Sequence, residues 1–194
     1  QLSIHMLEIT DHLRALSEDS YEDYLQSLNQ QTQQNAKTIN DNTSRANSQD
    51  LKQTLQDTQV KIDQYSKALI DLVKTRHIIG FDSNSGLRGQ IAQLGTEITA
   101  DISKLSLLKR EFTKVRQTES SYLFDPSEDN LEKFKTNLTN FDTRIENFGF
   151  QDTHGKKVKI YADAITKYGQ EYTSLNTIET MFNEQKNQFT QSQL

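Results

Sequence analysis

The sequence predicts an all-α fold: an elongated pair of stacked four-helix bundles built from two similar helical hairpins, about six helices in all. Three observations predict it. Apolar residues recur at alternating steps of three and four through most of the chain, the spacing that keeps them on one face of a helix. A single proline interrupts 194 residues. The apolar content of 33% is low for a sphere-like globule and suits an elongated bundle, which exposes more surface per residue.

The elements follow in order. Leu2, Met6, Ile9, Leu13 and Leu16 form a first seam. Residues 29–48 carry only Ala36, Ile39 and Ala46 among Gln, Asn and Thr, so a helix there buries little. It reads as a mobile surface helix, with the lining of a polar cavity as the other reading. Leu51, Leu55, Ile62, Tyr65, Leu69 and Leu72 make a second seam. Leu87, Ile91, Leu94, Ile98, Leu105, Leu108, Phe112, Val115 and Tyr122 predict one long helix over 87–122, about 50 Å in length. Two positions of that seam, Asp101 and Glu119, are charged. Phe124-Asp125-Pro126-Ser127 ends it, because proline lacks the N–H that the ladder needs and restricts the residue before it. Leu131, Phe134, Leu138, Phe141, Ile145 and Phe148 give the next helix, and a loop is expected at 149–155. Val158, Tyr161, Ile165, Tyr168, Tyr172, Leu175, Ile178 and Phe182 give the last.

The two halves are alike. Tyr24-Leu25 occupies the place that Tyr122-Leu123 takes in the second half, and each pair precedes a shorter helix, a break at 44–48 or 149–155, and a tyrosine-bearing helix. Each half therefore reads as one long helix out and two shorter helices back, with turns at Tyr24 and Pro126. Residues 1–194 form a single domain on this reading. Its distal module spans about 17–48 plus 106–148, and its proximal module about 1–16, 49–105 and 155–194.

Composition excludes several classes of function. The net charge is −5 with no cluster of Lys or Arg, which argues against nucleic acid. With no cysteine, disulfides and thiol catalysis are excluded. No apolar run is long enough to span a membrane, no signal peptide is visible, and the chain opens without Met inside a helical pattern. An excised fragment with its flanks removed is the expectation. His5, His12, His77 and His154 are scattered, and no HExxH or nucleophile motif occurs. Neither a catalytic residue, a metal site nor a cofactor is expected, and the chain reads as a non-enzyme.

The candidate ligand-binding residues are Arg14, Arg76, Arg88, Arg116, Tyr65 and Tyr168. Arg76 extends the seam of Leu69 and Leu72 to an inward position, where a guanidinium must find an anion. An ion pair with Glu97, Glu179 or another carboxylate, or a side chain that snorkels outward, is the plainer reading. Arg88 and Arg116 flank the long seam, and Arg14 adjoins Leu13. The planar fork of arginine suits bidentate recognition of a carboxylate, so arginines converging between helices suit a small organic acid. Glu119 lies on the seam with Arg116 three residues before it, a ready structural partner. Tyr65, Tyr161, Tyr168 and Tyr172 point inward by phase, as core filling whose hydroxyls reach a neighbour.

The richest segment is Gly80-Phe81-Asp82-Ser83-Asn84-Ser85-Gly86-Leu87-Arg88-Gly89. Its three glycines permit positive φ or close backbone approach, and the four polar residues between them can accept hydrogen bonds from unpaired N–H groups. This stretch resembles the "GLDENSGLRG" segment of the helical bimodular sensor domains of methyl-accepting chemotaxis receptors, matching eight of ten positions. Arg116-Gln117-Thr118-Glu119-Ser120-Ser121-Tyr122-Leu123 is similar to a thinned form of that family's "RRHEKDFL" run. Arg116, Glu119 and Leu123 fit, and Tyr122 stands in for Phe. The second Arg, the His and the Lys are missing.

The resemblance implies the stacked-bundle architecture and a periplasmic sensor of a transmembrane chemoreceptor. Such a domain binds a small polar ligand, favourably an organic acid, between helices and relays a helix displacement across the membrane. It further implies a homodimer, and a membrane connection through flanking transmembrane helices absent from this fragment. A histidine-kinase sensor that recognises a periplasmic binding protein, and a purely structural helical spacer, are the alternatives.

Overall fold

The structure, a computed structural model, describes residues 13–191. Leu2, Met6 and Ile9 of the first seam, His5, His12 and the side chain of Arg14 lie outside the described residues. The described chain is all-α, with helices α1 (Glu18–Arg45), α2 (Gln49–Ile79), α3 (Gly86–Asp101), α4 (Ser106–Phe124), α5 (Glu128–Asn147) and α6 (Lys156–Gln191). A 3₁₀ turn at Leu13–Ala15 and a π-helical turn at Gln151–Gly155 complete it. Two compact units are formed, one from Gln1–Phe81 with Thr173–Leu194, the other from Asp82–Tyr172. This grouping differs from the expected modules, since α1 shares a unit with α2 rather than with 106–148. A short connection between consecutive helices makes them neighbours in the fold.

In the first unit, α1 starts at Ser17, whose N–H is accepted by the Ser20 hydroxyl at 3.0 Å. Glu18 and Asp19 place negative charge in its first turn. The expected turn at Tyr24 is not there. Tyr24 lies inside α1, whose Tyr21, Leu25 and Leu28 form one continuous inward face, so the likeness between the halves stops short of this detail. Residues 29–45 remain helical despite their polarity. Thr32, Thr38, Thr43 and Ser44 each return a hydroxyl hydrogen bond to a carbonyl four residues back. Asn35 and Ile39 are its buried residues. Ser48 caps α2 by accepting from the Leu51 N–H at 3.2 Å. Of the expected α2 seam, Ile62, Tyr65, Leu69 and Leu72 are buried and packed with Leu25, Leu28 and Phe182. Leu51 is 48% exposed, so the seam closes only beyond the first turns of α2.

In the second unit the single helix expected over 87–122 is two helices. The chain breaks between Asp101 and Ser106. Asp101, the last residue of α3, is exposed and pairs with Lys157 at 2.7 Å, while Ile102, four residues beyond Ile98, takes the buried position. The break at Pro126 is as expected, and Ser127 opens α5 by accepting from the Asn130 N–H at 3.4 Å. Helix α4 packs along α5. Between them and the first half of α6, Phe112 meets Phe141 at 4.8 Å and Tyr161 at 5.7 Å between ring centroids. Burial of each such ring is worth roughly 1.5–3 kcal/mol.

The turn at 80–89 uses each of its glycines differently. Gly80, at φ 106°, ends α2 with its N–H on the Arg76 carbonyl at 2.9 Å. Gly86, at φ 54°, lets the next helix begin. Gly89 has ordinary φ but no room, since a Cβ there would lie 2.4 Å from the Asn84 carbonyl oxygen. The polar residues bond within the turn itself. Asp82 Oδ1 accepts from the Asn84 N–H at 2.7 Å, and Ser85 Oγ from the Asp82 N–H at 3.2 Å.

Candidate ligand-binding site

The second unit has a polar interior built from three tyrosines, two arginines and one carboxylate. At its centre Glu119 is 4% exposed. Its Oε2 accepts from Arg116 Nη1 at 2.5 Å and, in a short contact, from the Tyr161 hydroxyl. Burial pushes the Glu119 carboxyl above the usual carboxylate range, against the opposing pull of Tyr161 and Arg116. Burial and the neighbouring carboxylate raise the Tyr161 phenol strongly, so it remains a donor. Arg116 reaches this position because residue 95 is glycine, where a Cβ would lie 1.9 Å from Nη1. The three side chains satisfy one another, and the cluster is closed.

One end of α4 carries a second, more open arrangement. Tyr168 is fully buried on α6. Its hydroxyl donates to the Leu123 carbonyl at 3.0 Å, one of the helix-terminal carbonyls left without an intrahelical partner. The same hydroxyl accepts from Arg88 Nη2 at 3.4 Å, and the Arg88 guanidinium carbon lies 5.9 Å from the ring centroid. Tyr122 meets Tyr168 edge-on at 6.2 Å, with its hydroxyl against Gly169, where a Cβ would come within 2.0 Å. Tyr172 stacks on the other side at 6.1 Å. Arg88 is half-buried and, among the described residues, pairs with no carboxylate. Most of its five donors are therefore uncommitted.

The structure thus brings together two of the candidate residues, Arg88 and Tyr168. Arg116 belongs to the same unit and is neutralised by Glu119, the partner expected from the spacing. Arg76 and Tyr65 belong to the first unit. There Arg76 Nη2 meets Glu179 Oε1 at 2.7 Å, both side chains about one-third exposed, as the ion-pair reading anticipates. Glu97, the other carboxylate considered, pairs with Lys157 instead, at 3.4 Å. Tyr65 packs against Phe182 at 5.2 Å. The side chain of Arg14 lies outside the described residues. What the sequence reading missed were Gly95 and Gly169, the small residues that admit Arg116 and Tyr122. A glycine inside a strongly periodic helix is the signal that could have found them.

Among the described residues no group of three or more His, Asp or Glu is placed to hold a metal ion, and no helix is long and apolar enough to cross a membrane. Comparison of the chain with protein-family models, with curated proteins and with solved structures returns no match.

Proposed function

We propose that this chain is the periplasmic ligand-binding sensor domain of a transmembrane bacterial chemoreceptor, taking a small carboxylate between its helices. The observation that carries the reading is Arg88. A half-buried guanidinium without a counter-ion is expensive unless an anion completes it, and here it is held against a buried tyrosine, two residues inside the helix that the 80–89 turn opens. The fork of Arg88 matches a carboxylate in bidentate geometry, and the buried Tyr168 beneath it holds the guanidinium in place. The turn supports the family resemblance at the level of cause, because each of its glycines answers a separate steric demand.

Helix α6 supplies residues to both compact units. It is the element through which a ligand-dependent shift near Tyr168 would pass toward a following transmembrane segment, biasing a two-state equilibrium rather than deforming continuously. A homodimer, with membrane helices flanking the fragment, completes this reading. The spacer alternative predicts seams without buried Arg and Tyr clusters, and the Glu119–Arg116–Tyr161 and Arg88–Tyr168 groups weigh against it. Recognition of a binding protein needs an extended exposed apolar patch. Phe124, 92% exposed, is a single ring at the α4–α5 turn. The test is a hybrid receptor that carries residues 1–194 in place of the sensor of a well-behaved chemoreceptor. Cells bearing it should respond to a carboxylate that binds the isolated chain, and an unresponsive hybrid that folds and inserts would oppose the proposal.

A further inference from the structure

A cleft of about 480 Å³ lies on the second unit, apart from the Arg88–Tyr168 arrangement. It lies between the later half of α5, the π-helical turn and the start of α6. Its floor is apolar, made by Leu138, Val158 and Ala162. Thr139, Asp142, Gln151, Lys156 and Lys159 supply polar groups around it. The volume falls within the range of roughly 300–1,000 Å³ typical of small-molecule sites. One wall is the π-helical turn Gln151–Gly155, a rare conformation that recurs at functional sites.

The charges around the cleft are not equivalent. Lys159 is engaged by Asp163 at 2.9 Å, and Lys157, outside the lining, by Asp101 at 2.7 Å. Lys156 makes no ion pair with any described residue. Asp142 is half-buried, and among the described residues its only polar contact is a long one of 3.5 Å from the Gln151 amide. The cleft therefore presents one uncommitted carboxylate and one uncommitted ammonium around an apolar floor. Each lacks the counter-charge that the lysines beside them have found.

We propose that the cleft binds a small zwitterion with an apolar body, the class to which neutral aliphatic amino acids belong. The ligand's ammonium meets Asp142, displacing the weak Gln151 contact. Its carboxylate meets Lys156, and its apolar part covers Leu138, Val158 and Ala162. A carboxylate alone leaves the half-buried Asp142 unmatched and an amine alone forgoes Lys156, so the cleft discriminates by using both charges. This site shares no residue with the Arg88–Tyr168 arrangement and does not depend on it.

The experiment is calorimetric titration of the full chain with L-leucine and with two analogues: isocaproate, which lacks the ammonium, and isoamylamine, which lacks the carboxylate. L-leucine should bind, and each analogue should bind at least fivefold more weakly. Asp142→Asn and Lys156→Gln should each weaken L-leucine at least fivefold with an unchanged circular dichroism spectrum and melting temperature, Lys156 being exposed and Asp142 holding no more than a long contact to Gln151. Ala162→Phe, which fills the floor, should abolish binding, and Arg88→Ala should leave it unaltered. The proposal is overturned by no heat from L-leucine at millimolar concentration, or by an analogue that binds Arg88→Ala, in which the other anion site is removed, as well as L-leucine does. Binding that persists in Asp142→Asn and Lys156→Gln but is lost in Arg88→Ala would place the ligand at Arg88 and likewise overturn it.

Discussion

The Tyr161 hydroxyl donates to the carboxylate of Glu119, 42 residues earlier in the chain, and both side chains are buried. That bond joins α6 to α4 through the interior of one unit, with Arg116 completing the charge balance. Tyr161→Phe removes the donor and leaves a buried carboxylate with one partner fewer. A hydrogen bond to a charged group is worth about 1.5–3 kcal/mol, so urea unfolding should show a loss near 2 kcal/mol. A loss below about 0.5 kcal/mol would mean that water replaces the phenol freely.

The raised Glu119 carboxyl sets the sign of a pH effect. A group whose folded pKa exceeds its unfolded value contributes stability when protonated and loses it as pH rises through the folded pKa. The ionised form therefore costs stability at neutral pH, and acidification toward the ordinary carboxylate range relieves that cost. Glu119→Gln does not titrate. Its stability relative to the parent should be more favourable at pH 7 than at pH 5, read from urea midpoints at the two values. The opposite order would show that Arg116 and Tyr161 outweigh burial.

Gly89→Ala reverses a familiar sign. Inside a helix alanine is normally favoured over glycine by about 0.8–1 kcal/mol. At 89 the new Cβ would meet the backbone carbonyl of Asn84, which cannot step aside as a flexible side chain could. Opening the turn should cost about 1–3 kcal/mol, seen as a lower Tm. An unchanged or raised Tm would show that the turn relaxes.

Stability should be uneven along the α1–α2 hairpin. Near its open end Tyr21, Leu25, Leu28, Leu69 and Leu72 are buried. Toward the 46–48 connection the buried residues are Asn35 and Ile39, with Leu51 and Val60 about half exposed. Amide hydrogen exchange should be fastest over 40–60 and slowest over 62–73, because local opening follows buried apolar contact. Uniform protection along the hairpin would contradict this.

These features differ in how far they could be read from sequence. The helices and the three-glycine turn were legible because period, proline and glycine act locally. The Arg116–Glu119 pair was legible from its three-residue spacing, and Glu179 was foreseen as a partner for Arg76. The break after Asp101 was not, because the apolar period resumes in phase at Leu105 and conceals it. The turn assigned to Tyr24 came from symmetry between the halves, which the continuous inward face of Tyr21, Leu25 and Leu28 overrides. Arg88 and Tyr168 were each singled out, but their meeting depends on α3 and α6, separated by 80 positions. The cleft of Asp142 and Lys156 left no trace, since its lining comes from two helices and an irregular turn that share no motif.

The central claim rests on Arg88 as the anion-binding group of a sensor. It is tested most directly by calorimetric titration of small carboxylates into the parent chain, Arg88→Ala and Arg76→Ala. A carboxylate should bind the parent and Arg76→Ala alike, because Arg76 is already matched by Glu179, and should lose at least tenfold in affinity for Arg88→Ala. A carboxylate that binds Arg88→Ala as tightly as the parent would contradict it.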